Sequence, residues 1–213
     1  MIGMLRVKRR AAVILFLFAP ALHATAETGA ENGPTMSGTI TGYYYAMRDQ
    51  PDYGVGVASL NRGALHLEAR YNYEAHRSGS VFAGWNFGGG ENVTFQITPL
   101  IGALFGEVHG VVPGVEAGVA YRDVDAYIEA EYVHDLGNHN DSYFYAWSEV
   151  GWKPAKWLRV GLVGQRTREV ENGRDLQRGG FIQLILDKAT LGIYGFNPDS
   201  ASRYLIISFG MQF

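Results

Sequence analysis

The sequence contains no cysteine. An exported domain without disulfides must be held together by its own core or by a bilayer. Proline is scarce, with 7 in 213 residues, while glycine numbers 28 and aromatic residues make up 13%. That balance suits many strands and argues against disorder. Beyond residue 22 no apolar run approaches the roughly 20 residues that a spanning helix needs. No window of helical length carries a convincing 3.6-residue period either. The length suits one domain.

What is present begins with a leader. Arg6, Lys8, Arg9 and Arg10 form a positive start, residues 11–22 form an apolar run, and Ala24-Thr25-Ala26 gives a small-x-small cleavage site. This pattern predicts a secretory signal peptide over residues 1–26, with Glu27 as the first mature residue. The leader holds 4 of the 18 basic residues and none of the 21 acidic ones, so the mature chain is left with 14 basic residues and a net charge of −7. Such a chain lacks the basic surface that phosphate contacts require, which excludes nucleic acid as a partner.

Residues 27–36 are small and polar and read as a short lead-in. From Ser37 onward the chain alternates. Twelve segments are expected, at 37–48, 53–60, 63–74, 79–88, 92–105, 111–122, 125–134, 142–152, 157–168, 178–187, 189–196 and 202–213. Most are close to the 9–11 residues of a tilted membrane-crossing strand. Ten strands is the alternative, because 53–60 and 189–196 are short. One set of connections is uniformly short: 61–62, 89–91, 123–124, 153–156 and 187–188. The other set (49–52, 75–78, 106–110, 135–141, 169–177 and 197–201) is in part longer and more polar. None of these is long enough to predict a substantial plug.

Alternation sorts the side chains onto two faces. In 63–74, Leu65, Leu67, Ala69, Tyr71 and Tyr73 oppose His66, Glu68, Arg70, Asn72 and Glu74. In 111–122, Val115, Ala117, Val119 and Tyr121 oppose Glu116, Gly118 and Arg122. A charge on a lipid-facing position costs ~2–4 kcal/mol at the midplane. A membrane barrel would therefore turn Glu68, Glu116, Glu129, Glu131 and Glu149 inward, with Arg70, Arg122 and Arg159 among them. A soluble sandwich would alternate too, with its polar face in water. Aromatic residues near strand ends (Tyr71, Tyr73, Trp85, Phe87, Phe105, Tyr121, Tyr132, Trp152, Trp157 and Phe213) favour the barrel, whose rims carry aromatic girdles.

The last strand is the most specific feature. Leu205, Ile207, Phe209, Met211 and Phe213 alternate with Ile206, Ser208, Gly210 and Gln212, and the chain stops on the aromatic residue. With the leader, this resembles the bacterial outer-membrane β-barrel proteins, a resemblance that spans the mature chain but has its motif in this strand. The family signal often has glycine five residues before the final aromatic and an aromatic two before; here those positions are Ser208 and Met211. The resemblance implies an all-β, transmembrane, up-and-down antiparallel barrel over 37–213. It also implies outer-membrane lipids, lipopolysaccharide and the barrel-assembly machinery as partners, with those five alternating residues as the assembly signal. In size the chain is similar to small twelve-stranded monomeric channels, and a monomer is expected. Such channels for acidic oligosaccharides have arginine-lined pores, a bias this sequence does not share.

The function expected is a small passive channel for ions or small neutral or cationic solutes. Its lining would comprise Glu68, Arg70, Glu116, Arg122, Glu129, Glu131, Glu149, Arg159, Tyr143 and Tyr145, with Tyr43, Tyr45 and Trp147 on the same face. The first alternative is a structural barrel in which Glu and Arg pair and close the lumen. The second is a lipid hydrolase using His76 as base and Ser78 as nucleophile. Continued alternation turns both toward the interior, away from lipid. His134, Asp135, His139 and Asp141 are metal-capable groups in one loop, but their spacing matches no metal motif and turn chemistry accounts for them. Gly88-Gly89-Gly90-Glu91-Asn92 lies between strands and so is no phosphate loop. No metal and no cofactor is called for. Arg166, Arg168, Arg174 and Arg178 lie near one outer connection, where they would meet lipopolysaccharide phosphates or water.

Overall fold

The computed structural model describes residues 35–137, 142–169 and 173–213. The leader, residues 27–34 of the lead-in, and the loop residues His139 and Asp141 lie outside these. Among the described residues, thirteen strands form one antiparallel sheet: β1 (Met36–Met47), β2 (Tyr53–Arg62), β3 (Leu65–Tyr71), β4 (Ser78–Trp85), β5 (Phe87–Gly89), β6 (Val93–Gly106), β7 (Gly110–Tyr121), β8 (Val124–Asp135), β9 (Tyr143–Ala155), β10 (Leu158–Glu169), β11 (Gly173–Leu186), β12 (Ala189–Phe196) and β13 (Tyr204–Gln212).

The sheet has no free edge. β1 pairs with both β2 and β13, and β4 pairs with both β3 and β6, which closes the ring. Closure removes the unpaired strand edges that an open sheet would expose. β5 is the continuation of β4 and not a separate stave. Gly84 pairs with Leu100 and Phe87 with Ile97, so the register is unbroken across the gap. The gap lies opposite Pro99, which has no amide proton to donate. Pro113 does the same to the β7–β8 ladder, whose pairing lapses between Val111↔His134 and Gly114↔Glu131 in constant register. Twelve staves result, and the two short segments, now β2 and β12, are both among them.

The rim that carries both chain ends is built from tight turns. Gly63, Arg122 and Asp187 take φ of 58°, 52° and 51° in the turns before β3, β8 and β12. These left-handed conformations set the two-residue hairpins whose twist matches that of the strands. Phe213 seals the closure. Its amide donates to the Gly38 carbonyl (3.0 Å) and its carbonyl accepts from the Gly38 amide (2.9 Å). A Cβ at position 38 would lie 2.6 Å from the Phe213 ring, so the ring needs glycine beneath it.

Period-two alternation separates the faces cleanly. On β13, Tyr204, Ile206 and Ser208 are buried, whereas Leu205, Ile207, Phe209, Met211 and Phe213 are exposed. Trp85, Phe87, Phe105, Trp152 and Trp157 are likewise exposed near strand ends. Soluble monomers rarely carry an exposed apolar surface larger than a few hundred Å²; here it runs around the barrel.

One segment leaves the pattern. β3 ends at Tyr71, and residues 72–77 turn inward, burying Tyr73 and Glu74. Asn72 (φ 58°) and Arg77 (φ 52°) supply the left-handed corners. The Asn72 side chain donates to the Gly54 carbonyl (2.9 Å) and accepts from the Arg77 amide (2.7 Å). Tyr73 is therefore interior and not part of an aromatic girdle. A short segment thus enters the lumen, well below the size of a substantial plug.

Candidate functional site

The interior is organised around two arginines. Arg70, on the inward parity of β3, sits with its guanidinium over the rings of Tyr73 (4.0 Å) and Phe82 (4.2 Å). Five carboxylates surround it. Its Nε donates to Glu68, its Nη1 lies 2.7 Å from Glu131, 3.0 Å from Glu129 and 3.4 Å from Glu74, and its Nη2 lies 3.7 Å from Glu116. Three staves, β4, β6 and β7, separate β3 from β8, which carries Glu129 and Glu131. The arrangement thus crosses the lumen. The Tyr73 hydroxyl donates to Glu129, and the Ser80 hydroxyl bonds Glu74 at 2.8 Å. One guanidinium among five carboxylates leaves a formal excess of negative charge.

Arg159, on β10, braces the opposite wall. It donates to Glu149 (2.7 Å), Gln183 (2.8 Å) and Asp125 (3.0 Å), and lies over the Phe181 ring at 4.6 Å. Gln183 in turn donates to the Tyr194 hydroxyl (2.6 Å), and Trp147 Nε1 donates to Glu149 (3.1 Å). Gly151 leaves room for this guanidinium, since a Cβ there would fall 2.4 Å from Arg159 Nε. The arginine is held by three partners and has nowhere to move. Gly151→Ala is accordingly expected to destabilise the barrel by ~1–3 kcal/mol through overpacking, measured by denaturant unfolding in detergent micelles. An unchanged midpoint would mean that Arg159 is not fixed as described.

Aromatic stacking fills the lumen toward the rim away from the chain ends. Tyr45 stacks on Tyr53 at 4.6 Å, Phe196 on Tyr204 at 4.8 Å, and Trp147 leans on Phe196 at 5.4 Å. The Tyr143 hydroxyl reaches from β9 to the backbone carbonyl of Glu74 and ties the inward segment across the barrel. Tyr145 is buried in the same layer. On the rim itself, Asp52 accepts from the Tyr44 hydroxyl (2.6 Å) and the Met47 amide (2.8 Å). These bonds, the tyrosine's first, hold its carboxyl below the usual range.

Glu68, Arg70, Glu116, Glu129, Glu131, Glu149, Arg159, Tyr143 and Tyr145 therefore all lie inside the barrel. Arg122 does not. It occupies the two-residue turn between β7 and β8, exposed, with its guanidinium 5.1 Å from the Tyr121 ring. The strand ends one residue before it, and the left-handed φ takes it out of the alternation. His76 and Ser78 do not form a base–nucleophile pair. Ser78 is fully buried, and its hydroxyl bonds the His76 carbonyl and the Val108 amide, while the exposed His76 ring meets Tyr53 edge-on. Asp135 serves the loop, accepting from the Gly137 amide (2.7 Å). Arg166 and Arg168 point outward near the rim away from the chain ends. Two interior carboxylates were absent from the expected lining, Glu74, which alternation had placed on the inward face, and Asp125. Asp125 shared the inward parity of Tyr127 and Glu129 and could have been found by extending it one step.

No protein-family model and no curated protein matches the sequence. Among solved structures, the chain is similar to one described as "KdgM porin", with a TM-score of 0.59 and 14% identity over 82% of this chain and 98% of that one. It is also similar to "KdgM porin in complex with disordered oligogalacturonate", with a TM-score of 0.61 and 12% identity over the same shares of the two chains. The fold is that of a twelve-stranded porin barrel.

Proposed function

We propose that this barrel resides in the outer membrane, exported by its leader, and acts as a monomeric, narrow passive channel that favours cations and small neutral solutes over anions. The outward apolar face, the rim aromatics, the terminal strand and the porin fold support the location. Arg166 and Arg168 would then lie at the outer leaflet, placed for lipopolysaccharide phosphates.

The observation that carries the channel reading is the chemistry of the filling. A barrel that needs only to be filled is filled at least as stably by apolar side chains as by buried ion pairs. This one instead lines its axis with carboxylates, guanidinium groups, amides and phenols. Rings of acidic groups are how cation-selective pores discriminate. The acidic excess around Arg70 also disfavours an acidic oligosaccharide such as the oligogalacturonate named with the porin of similar fold. A second reading, a structural barrel with a closed lumen, draws on one fact: the Arg70 side chain is only 1% exposed.

Single-channel recording in planar bilayers tests both. Discrete conductance steps are expected, with a reversal potential in a salt gradient that reports cation preference. Glu129→Gln with Glu131→Gln should reduce that preference. Silent bilayers despite folded protein would leave the closed barrel as the answer. An anion preference would overturn the selectivity.

A further inference from the structure

His66 begins the inward row of β3, next to the chain-end rim, and is 5% exposed. Its tautomer is set by its neighbours. Nδ1 lies 2.9 Å from Asn61 Oδ1. That oxygen also accepts from Asn86 Nδ2 (2.8 Å), while Asn86 Oδ1 accepts from Thr98 Oγ1 (2.7 Å) and Gln96 Nε2 (3.3 Å). In this arrangement every amide oxygen accepts and every amide nitrogen donates. Asn61 Oδ1 is an acceptor, so His66 Nδ1 carries the proton and Nε2 presents a bare lone pair.

That lone pair is buried and has no hydrogen-bond partner. It faces Glu68 Oε2 at 3.8 Å, and with the Glu116 carboxylate the three ligand atoms lie within 4.8 Å of one another. Arg70 engages the other oxygen of Glu68, lies 3.7 Å from one Glu116 oxygen through Nη2, and turns Nη1 to Glu74, Glu129 and Glu131. An imidazole lone pair and two carboxylates thus converge, and the guanidinium that touches both carboxylates is shared among five of them. An orphaned buried acceptor keeps its desolvation penalty unrepaid, and unbalanced carboxylates in a dry site cost more.

We propose that His66 Nε2, Glu68 and Glu116 bind a divalent first-row transition-metal ion of the Zn²⁺ type. One nitrogen and two carboxylate oxygens are a donor set such ions accept, at about 2.0–2.2 Å per bond. Ca²⁺ and Mg²⁺ take oxygen ligands and have little use for the imidazole. Asn61 supplies the outer-shell bond that fixes a ligating imidazole. Glu116 is the most open of the three, with 12% of its side chain exposed, and is the arm that closes on the ion and the route by which it enters. The ion adds positive charge where the Arg70 cluster is short of it.

The test uses the folded full barrel in detergent, stripped with a chelator and dialysed against Zn²⁺ alone. One retained equivalent is expected, and Co²⁺ in its place should give the visible absorption of a four-coordinate site. His66→Ala and Glu116→Gln should each abolish retention. Asn61→Ala, which removes only the orienting bond, should weaken affinity ~10–100-fold. Should His66→Ala fail to fold, the near-isosteric Glu116→Gln carries the test, with folding checked by heat-dependent gel mobility. No retained ion, or retention equal in wild type and Glu116→Gln, overturns the site; the second result would move the ion to another part of the chain.

Discussion

Replacing Arg70 by methionine is expected to destabilise the barrel by ~3–5 kcal/mol, the cost of breaking a buried ion pair by removing one partner. The structure gives reason to expect the upper part of that range. Methionine keeps much of the volume and can still lie against Tyr73 and Phe82, so the loss is chiefly electrostatic. What remains, among the described residues, is five carboxylates without the guanidinium they shared. The deficit should be recoverable from the other side. In the Arg70→Met background, Glu68→Gln with Glu131→Gln removes two of the uncompensated charges and should restore a measurable share of the stability. A double-mutant comparison of this kind isolates the coupling between the partners. Denaturant unfolding in lipid vesicles provides the measurement. A loss below about 1 kcal/mol, the level of an exposed pair, would mean that water reaches the cluster and that the cross-lumen brace is not formed.

The same variant bears on function. Arg70 joins β3 to β8 across the lumen, and Tyr143 ties the inward segment from the far wall. In the channel reading these braces set the bore, so their loss should raise conductance in whatever fraction still folds.

Much of the architecture was legible because a strand's period is two and a barrel has only two faces. Once Phe213 fixed the phase of β13, parity placed Glu68, Glu129, Glu131 and Glu149 inside with no further information. Parity fails where a strand stops. Asn72 takes a left-handed φ one residue past Tyr71, so Tyr73 no longer obeys the count and turns from an expected rim aromatic into an interior one. Arg122 fails for the same reason at the end of β7. The sequence carried a signal in each case, an Asn or a polar dipeptide between apolar runs, but not the residue at which the chain would turn. The convergence of His66 with Glu116 was illegible for a different cause. Their strands, β3 and β7, are separated by β4 and β6, and no one-dimensional pattern reports a meeting across a lumen.

The outward face makes the second large prediction. Leu162 lies in the middle of β10 and is 71% exposed, while its neighbour Val163 is 4% exposed and faces in. If the outer face lies in lipid, Leu162→Arg places a charge near the hydrocarbon midplane and should cost ~2–4 kcal/mol of stability in bilayers. Ile207→Arg, on the closing strand and of the same parity as Phe213, should behave alike. Arginine nearer a rim should cost far less, because the penalty falls to ~0–1 kcal/mol at the interface. The depth dependence is the discriminating observation. In a water-soluble sheet sandwich, an exposed Leu→Arg change would be close to neutral at every depth, since surface substitutions usually lie within ~0.5 kcal/mol. Equilibrium unfolding of the variants from lipid vesicles measures it. A Leu162→Arg barrel as stable as wild type would remove lipid from its outer face, and with it the membrane setting on which the channel reading depends.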